Sequence, residues 1–149
     1  MGGDGLDDDG VRAILALRRI AMIGASAKPW RDSNHVMRFL LDRGYDVAPV
    51  NPSIAGAALH GRTVVGSLDE AGPLEIVDIF RNSGAAGAAV DDAIRLGAKA
   101  VWMQLGVIDH AAAARARAAG LMVAMDRCPV IEDRRLGPFR HPPGRETRD

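Results

Sequence analysis

Arg19-Ile20-Ala21-Met22-Ile23-Gly24, running on into Ala25-Ser26-Ala27-Lys28-Pro29-Trp30-Arg31-Asp32-Ser33, is the stretch that decides the fold. Its first six residues are a compact apolar run ending in glycine, as expected of a strand buried on both faces. The rest is a loop that closes on Ser33, a residue type suited to cap a helix. Val36, Phe39, Leu40 and Tyr45 then follow at spacings that suit a helix stopped at Gly44. Strand, loop and helix in that order open a βαβ unit.

Outward from this stretch the unit repeats. Residues 46–50 (DVAPV) read as a second strand ending at Asn51-Pro52. Residues 53–66 have little periodicity and read as a loop, and 67–71 as a short capped turn. Residues 75–80 (EIVDIF) read as a third strand, and 87–96 as an Ala-rich helix stopped by Gly97. Residues 98–104 (AKAVWMQ) form a fourth strand. Asp109 caps a helix ending at Gly120, and 121–125 make a fifth strand. Before the first strand, Val11, Ile14 and Leu15 share one helical face. From Arg134 onward the chain is rich in Arg and Pro and reads as an extended tail. The expected organisation is one domain over residues 10–136, with flexible termini at 1–9 and 137–149.

Apolar strands alternating with short helices predict an α/β fold with a parallel sheet between two helical layers. Right-handed crossovers make it three-layered, doubly wound and Rossmann-like, with five strands in the order 3-2-1-4-5; the flavodoxin-like order 2-1-3-4-5 is the alternative. In either, ligands bind beyond the carboxyl ends of the strands.

Composition agrees with this and excludes other classes. The chain has 149 residues, 48% hydrophobic and 26% charged, with a formal net charge of +0. That suits a single core and provides no global field for nucleic acid or membrane. No apolar run reaches the roughly 18 residues of a membrane span. Cys128 is the only cysteine, which excludes an internal disulfide and a Cys-based metal cluster. The start lacks the features of a secretory signal, so a cytoplasmic protein is expected.

The candidate site residues stand where the strands end. After the first strand, Gly24 permits close backbone approach, Ser26 and Ser33 carry hydroxyls, and Lys28 and Arg31 bring charge to a helix N-terminus. This is a phosphate site without a P-loop or G-x-G-x-x-G pattern. After the second strand, Val50-Asn51-Pro52 replaces the acidic residue that a NAD-binding domain places there for the ribose. After the third, Phe80 is placed to flank a base and Arg81 to meet phosphate or stack on a ring. After the fourth, Gln104 is placed to bond an amide-bearing ligand, and Trp102 reads as a packed core indole.

Together these residues resemble the coenzyme A-binding domain family, in its small stand-alone branch related to the amino-terminal domain of the succinyl-CoA synthetase alpha subunit. The likeness runs over residues 14–136. It rests on Gly24-Ala25-Ser26 with Lys28-Pro29 and Arg31-x-Ser33, on Val50-Asn51-Pro52, and on Val77-Asp78-Ile79-Phe80-Arg81. It continues through Trp102-Met103-Gln104-Leu105-Gly106 and Asp126-Arg127-Cys128-Pro129. The resemblance implies a Rossmann-like fold that binds coenzyme A, or an acyl-CoA, through its 3′-phospho-ADP part. Gly24, Ala25, Ser26, Lys28, Arg31 and Ser33 would then hold phosphates, and Val50, Asn51, Pro52, Phe80 and Arg81 would frame the adenosine. Gln104 and Gly106 would border the pantetheine arm. In the synthetase subunit a lysine lies two places after the Val-x-Pro motif. Here Ile54 stands there, so the 3′-phosphate must meet another cation, Arg31 or Arg62. The synthetase's phosphohistidine domain has no counterpart in this chain.

No catalytic or metal-binding constellation is legible. His35, His60, His110 and His141 are scattered without ligand spacing, and Asp7-Asp8-Asp9 reads as a solvated run. Arg134, Arg135, Arg140, Arg145 and Arg148 make a basic tail with little aromatic interleaving, so nucleic acid is not expected as a partner. Cys128 reads either as a thiol that exchanges with that of CoA or as a small buried hydrophobe, and the second is expected. The other readings are an NAD(P)-binding oxidoreductase fragment and an interaction protein with an empty nucleotide pocket.

Overall fold

The computed structural model describes residues 3–142. Helix α1 (Asp8–Leu15) precedes β1 (Arg19–Ile23), α2 (Asp32–Asp42) and β2 (Asp46–Val50). A small antiparallel hairpin of β3 (Ala58–Leu59) and β4 (Arg62–Thr63) follows. Then come β5 (Ile76–Ile79), α3 (Ser83–Arg95), β6 (Ala100–Met103), α4 (His110–Ala118), β7 (Met122–Met125) and α5 (Pro129–Leu136).

The main sheet is parallel throughout, in the order β2-β1-β5-β6-β7. Alternate strand residues feed two cores. Ile23, Val77, Ile79, Val101 and Met103 pack on the alanine-rich faces of α3 and α4. Ile20, Met22, Val47, Ile76 and Trp102 pack on α1 and α2. The three-layered, doubly wound α/β architecture is therefore as expected, and so is Trp102, whose Nε1 donates to Arg127 O at 2.9 Å.

The order needs one correction. The strand at 76–79 is not outside β2 but on the far side of β1, so the five full strands run 2-1-3-4-5. The outer place is held by Val65, which makes a single parallel bridge to Val50. Asn51 N donates to Val65 O at 2.9 Å and Val65 N to Pro49 O at 3.0 Å. Counting Val65 as a vestigial strand restores the Rossmann pattern, 3-2-1-4-5, with β7 beyond it. A strand one residue long carries no alternation, so residues 53–66 read as loop.

The chain ends also differ from expectation. Pro129 occupies the first turn of α5, where its missing N–H is no loss, and the helix runs on to Leu136. The expected loose start is anchored at Asp4, which is buried against Arg127. Arg127 Nε donates to Asp4 Oδ2 at 2.6 Å, Nη2 to Leu6 O at 2.8 Å and Nη1 to Glu132 Oε1 at 3.1 Å. Burial pushes the Asp4 carboxyl up, but Arg127 and the N–H groups of Leu6 and Met125 outweigh it and hold it below the usual range. A buried arginine needs such counter-charges, and Asp4 and Glu132 supply them. At the other end, His141 N donates to Arg43 O at 2.8 Å and its ring meets Tyr45 edge-on. Arg145 and Arg148 lie outside the described residues.

Candidate functional site

The carboxyl ends of β1, β2, β5 and β6 open onto one cleft of about 660 Å³. Its tightest constraint is at Gly24, where φ is +87° and an added Cβ would stand 2.1 Å from Phe80 O. The loop after β1 passes this close to β5 only because the residue there has no side chain.

The backbone of that loop is held from behind. The N–H groups of Gly24 and Ala25 both donate to Val50 O, at 3.0 and 3.3 Å. Asn51 Nδ2 donates to Ala25 O at 2.8 Å, while its Oδ1 accepts from Ser53 N at 2.9 Å and closes a 3₁₀ turn. Asn34 Nδ2 donates to Ser26 O at 2.8 Å, and Asn34 Oδ1 lies 3.0 Å from His60 Nε2. Two successive loop carbonyls are thus tied by asparagine amides. Helix α2 starts two residues earlier than a Ser33 cap implies: Arg31 takes the N-cap position and no side chain caps the helix. Its first-turn N–H groups face the loop without a side-chain acceptor.

The cleft gathers three cations that have no carboxylate partner among the described residues. Lys28, Arg31 and Arg81 line it, and among the described residues none of them is in an ion pair. Arg19, Arg43, Arg62, Arg95, Arg115 and Arg127, by contrast, each meet a carboxylate. Asp32 is the acid in the lining. At the β6 end stands Gln104, only 6% exposed, whose Oε1 has no hydrogen-bond partner. An acceptor left unmade at that depth is costly unless a ligand or water supplies a donor.

The structure gathers most of the expected residues. Gly24, Ala25, Ser26, Lys28, Arg31 and Ser33 line the cleft from the β1 side, and Asn51, Phe80, Arg81 and Gln104 from the other strand ends. Val50, Pro52 and Gly106 do not. Val50 is buried and acts through its carbonyl, Pro52 begins the exposed turn, and Gly106 N–H is taken by Asp126 Oδ1 at 2.7 Å. Ile54 does line the cleft, at the place where the synthetase subunit has its lysine. Arg62 is not available as the replacement, because it pairs with Asp46 at the amino end of β2. Sequence reasoning missed Ser53, Asn82, Leu105 and Val107. Of these, only Ser53 had a signal, the Asn-Pro-Ser turn that folds it back. Cys128 is buried and outside the cleft lining, as its hydrophobe reading requires. Among the described residues no three His, Cys, Asp or Glu side chains gather as a metal site, and no helix is long and apolar enough to cross a membrane.

The model of a family described as the CoA binding domain matches residues 18–134. The chain belongs to the CoA binding domain family. Its relatives include the uncharacterized protein YneT of Bacillus subtilis (strain 168), 36% identical over 112 residues, which are 74% of this chain and 82% of YneT. A solved structure of a hypothetical protein from Pyrococcus horikoshii OT3 superposes with a TM-score of 0.84 at 40% identity, over 90% of this chain and 94% of that one. One from Thermus thermophilus superposes with a TM-score of 0.80 at 36% identity, over 88% and 99%. In this CoA binding domain, three cations without ion pairs and an unsatisfied amide acceptor share the cleft at the strand ends.

One buried group of this domain lies just beneath that cleft. Asp78 is 1% exposed, two residues before Phe80 on β5 and in register with Met22 and Trp102, and neither carboxyl oxygen has a partner. Burial pushes its carboxyl well above the ordinary value, so the folded protein keeps a proton there that the unfolded chain releases near pH 4. That contribution to stability is complete below the unfolded value and is lost as pH rises toward the folded one. Asp78→Asn should therefore gain on the parent as pH rises above about 4. Urea unfolding of both proteins across that range tests this, since other carboxyls cancel in the difference. A constant difference would mean that Asp78 is ionised in the fold.

Proposed function

We propose that this cleft binds coenzyme A through its 3′-phospho-ADP part, without catalysis by this chain itself. The observation that carries the reading is the placement of charge. Cations without carboxylate partners meet an uncapped helix start at one end of the cleft, and an unsatisfied amide acceptor waits at the other. A ligand with phosphates at one end and amide N–H groups along its arm fits that distribution. Lys28, Arg31 and the start of α2 take phosphates. Asn51, Phe80 and Arg81 frame the adenosine, and Gln104 Oε1 accepts from a pantetheine amide. With Arg62 committed to Asp46, Arg31 is the cation assigned to the 3′-phosphate. The lone cysteine suits a reducing cytoplasm.

An NAD(P)-dependent oxidoreductase fits less well. Asn51 and Pro52 stand where ribose hydroxyls would need a carboxylate, and the Asn51 amide is already spent on Ala25 O and Ser53 N. Lys28→Ala and Arg31→Ala should each weaken CoA by about 1.5–3 kcal/mol, roughly ten- to a hundredfold. Arg31→Ala should weaken dephospho-CoA much less than CoA. Lys28→Ala, if it meets the diphosphate, should weaken both alike. Titration calorimetry with the two ligands reads the difference, and unchanged affinity in both variants would remove this loop from the site.

A further inference from the structure

Beyond the cationic end, the cleft changes character. The loop after β6 carries Leu105, 52% exposed, and Ile108, 37% exposed, two of the few large apolar side chains left open to solvent. Leu105 lines the cleft itself, beside the buried Val107. This loop is pinned on both sides. Ser83 Oγ donates to Gly106 O at 3.2 Å and accepts from Ile108 N at 2.9 Å. Asp126 Oδ1 accepts from Gly106 N at 2.7 Å, and Val107 N donates back to Gln104 O at 2.8 Å. So many fixed contacts would have allowed the loop to turn polar residues outward at no cost to the fold. It instead holds an open leucine, Leu105, in the cleft, next to Gln104, whose buried Oε1 lacks a donor.

We infer that the site takes acylated coenzyme A, a thioester with an aliphatic acyl group that lies on Leu105. This rests on the CoA reading above and adds the class of acyl group. The order of chemistries along the cleft matches such a ligand: phosphates over Lys28 and Arg31, an amide at Gln104, and hydrocarbon past the thioester on Leu105. Free CoA would leave the apolar rim wet. Each methylene buried there strengthens binding about fourfold when burial is complete, so a six-carbon chain that is partly covered should gain tenfold or more.

The test is the ratio of hexanoyl-CoA to CoA affinity, by titration calorimetry on the full chain. Hexanoyl-CoA should bind at least tenfold tighter than CoA, with acetyl-CoA between them. In Leu105→Asp that ratio should fall toward one. This side chain is exposed, so the variant should fold, as circular dichroism would confirm. Ile131→Asp, at an equally exposed apolar position on α5, should keep the parent ratio. Equal affinities for CoA and hexanoyl-CoA, or a ratio that survives Leu105→Asp, would overturn the acyl assignment while leaving CoA binding in place. Absence of binding by every one of these ligands would overturn both.

Discussion

Arg127→Leu is expected to cost the fold about 3 kcal/mol, which in a domain of this size lowers Tm by roughly 6–12 °C. The guanidinium is 7% exposed and its two carboxylate partners, Asp4 and Glu132, 2% each. Removing it leaves Asp4 as a buried charge supported only by the N–H groups of Leu6 and Met125. Glu132 fares better, because Arg135 Nη2 still reaches it at 2.7 Å. The loss should therefore come mainly through Asp4. Arg127→Leu combined with Asp4→Leu should be more stable than Arg127→Leu alone, since replacing both members of a buried pair removes the stranded charge. Deleting residues 1–6 should destabilise to a similar degree. Thermal unfolding followed by circular dichroism measures all three, and a deletion without effect on Tm would show that the amino-terminal segment is not docked in solution.

Gly24→Ala should cost about 2–4 kcal/mol and weaken CoA more than tenfold. Two effects add at this position. The backbone lies at φ +87°, which an L side chain adopts only with strain, and the new Cβ would overlap Phe80 O. The strand end has no slack to relieve this, because Gly24 N and Ala25 N both hang on Val50 O. Gly97→Ala separates the two terms. Its φ is +78°, but an added Cβ there meets nothing within 4 Å, so its cost should stay near 1 kcal/mol. Chemical denaturation of both variants gives the comparison. If Gly24→Ala were no worse than Gly97→Ala, the close approach of the loop to β5 would be wrong.

Much of this was legible in the residues because the signals were local. RIAMI, DVAPV and the apolar cores of the later strands are runs that only a buried parallel strand explains, and each forms one. Lys28, Arg31, Phe80 and Gln104 could be placed at one site because topology alone brings the strand ends together. What stayed hidden depends on contacts distant in sequence. Val65 completes the sheet edge through a single bridge to Val50. Asp4 is fixed by Arg127, more than a hundred residues away, so an Asp- and Gly-rich start looked loose. Arg62 looked available for a phosphate until Asp46 was seen beside it. Leu105 and Val107 follow a strand as ordinary loop residues, and only the pinning by Ser83 and Asp126 turns them toward the cleft.

The most direct measurement is parallel calorimetric titration of the purified protein with CoA and with NAD. Filling the cleft with CoA should give a saturating one-to-one isotherm, with NAD at least tenfold weaker, because Asn51 and Pro52 offer its ribose no carboxylate. No heat with CoA, or affinities for the two ligands that are alike, would contradict the assignment of this cleft to coenzyme A.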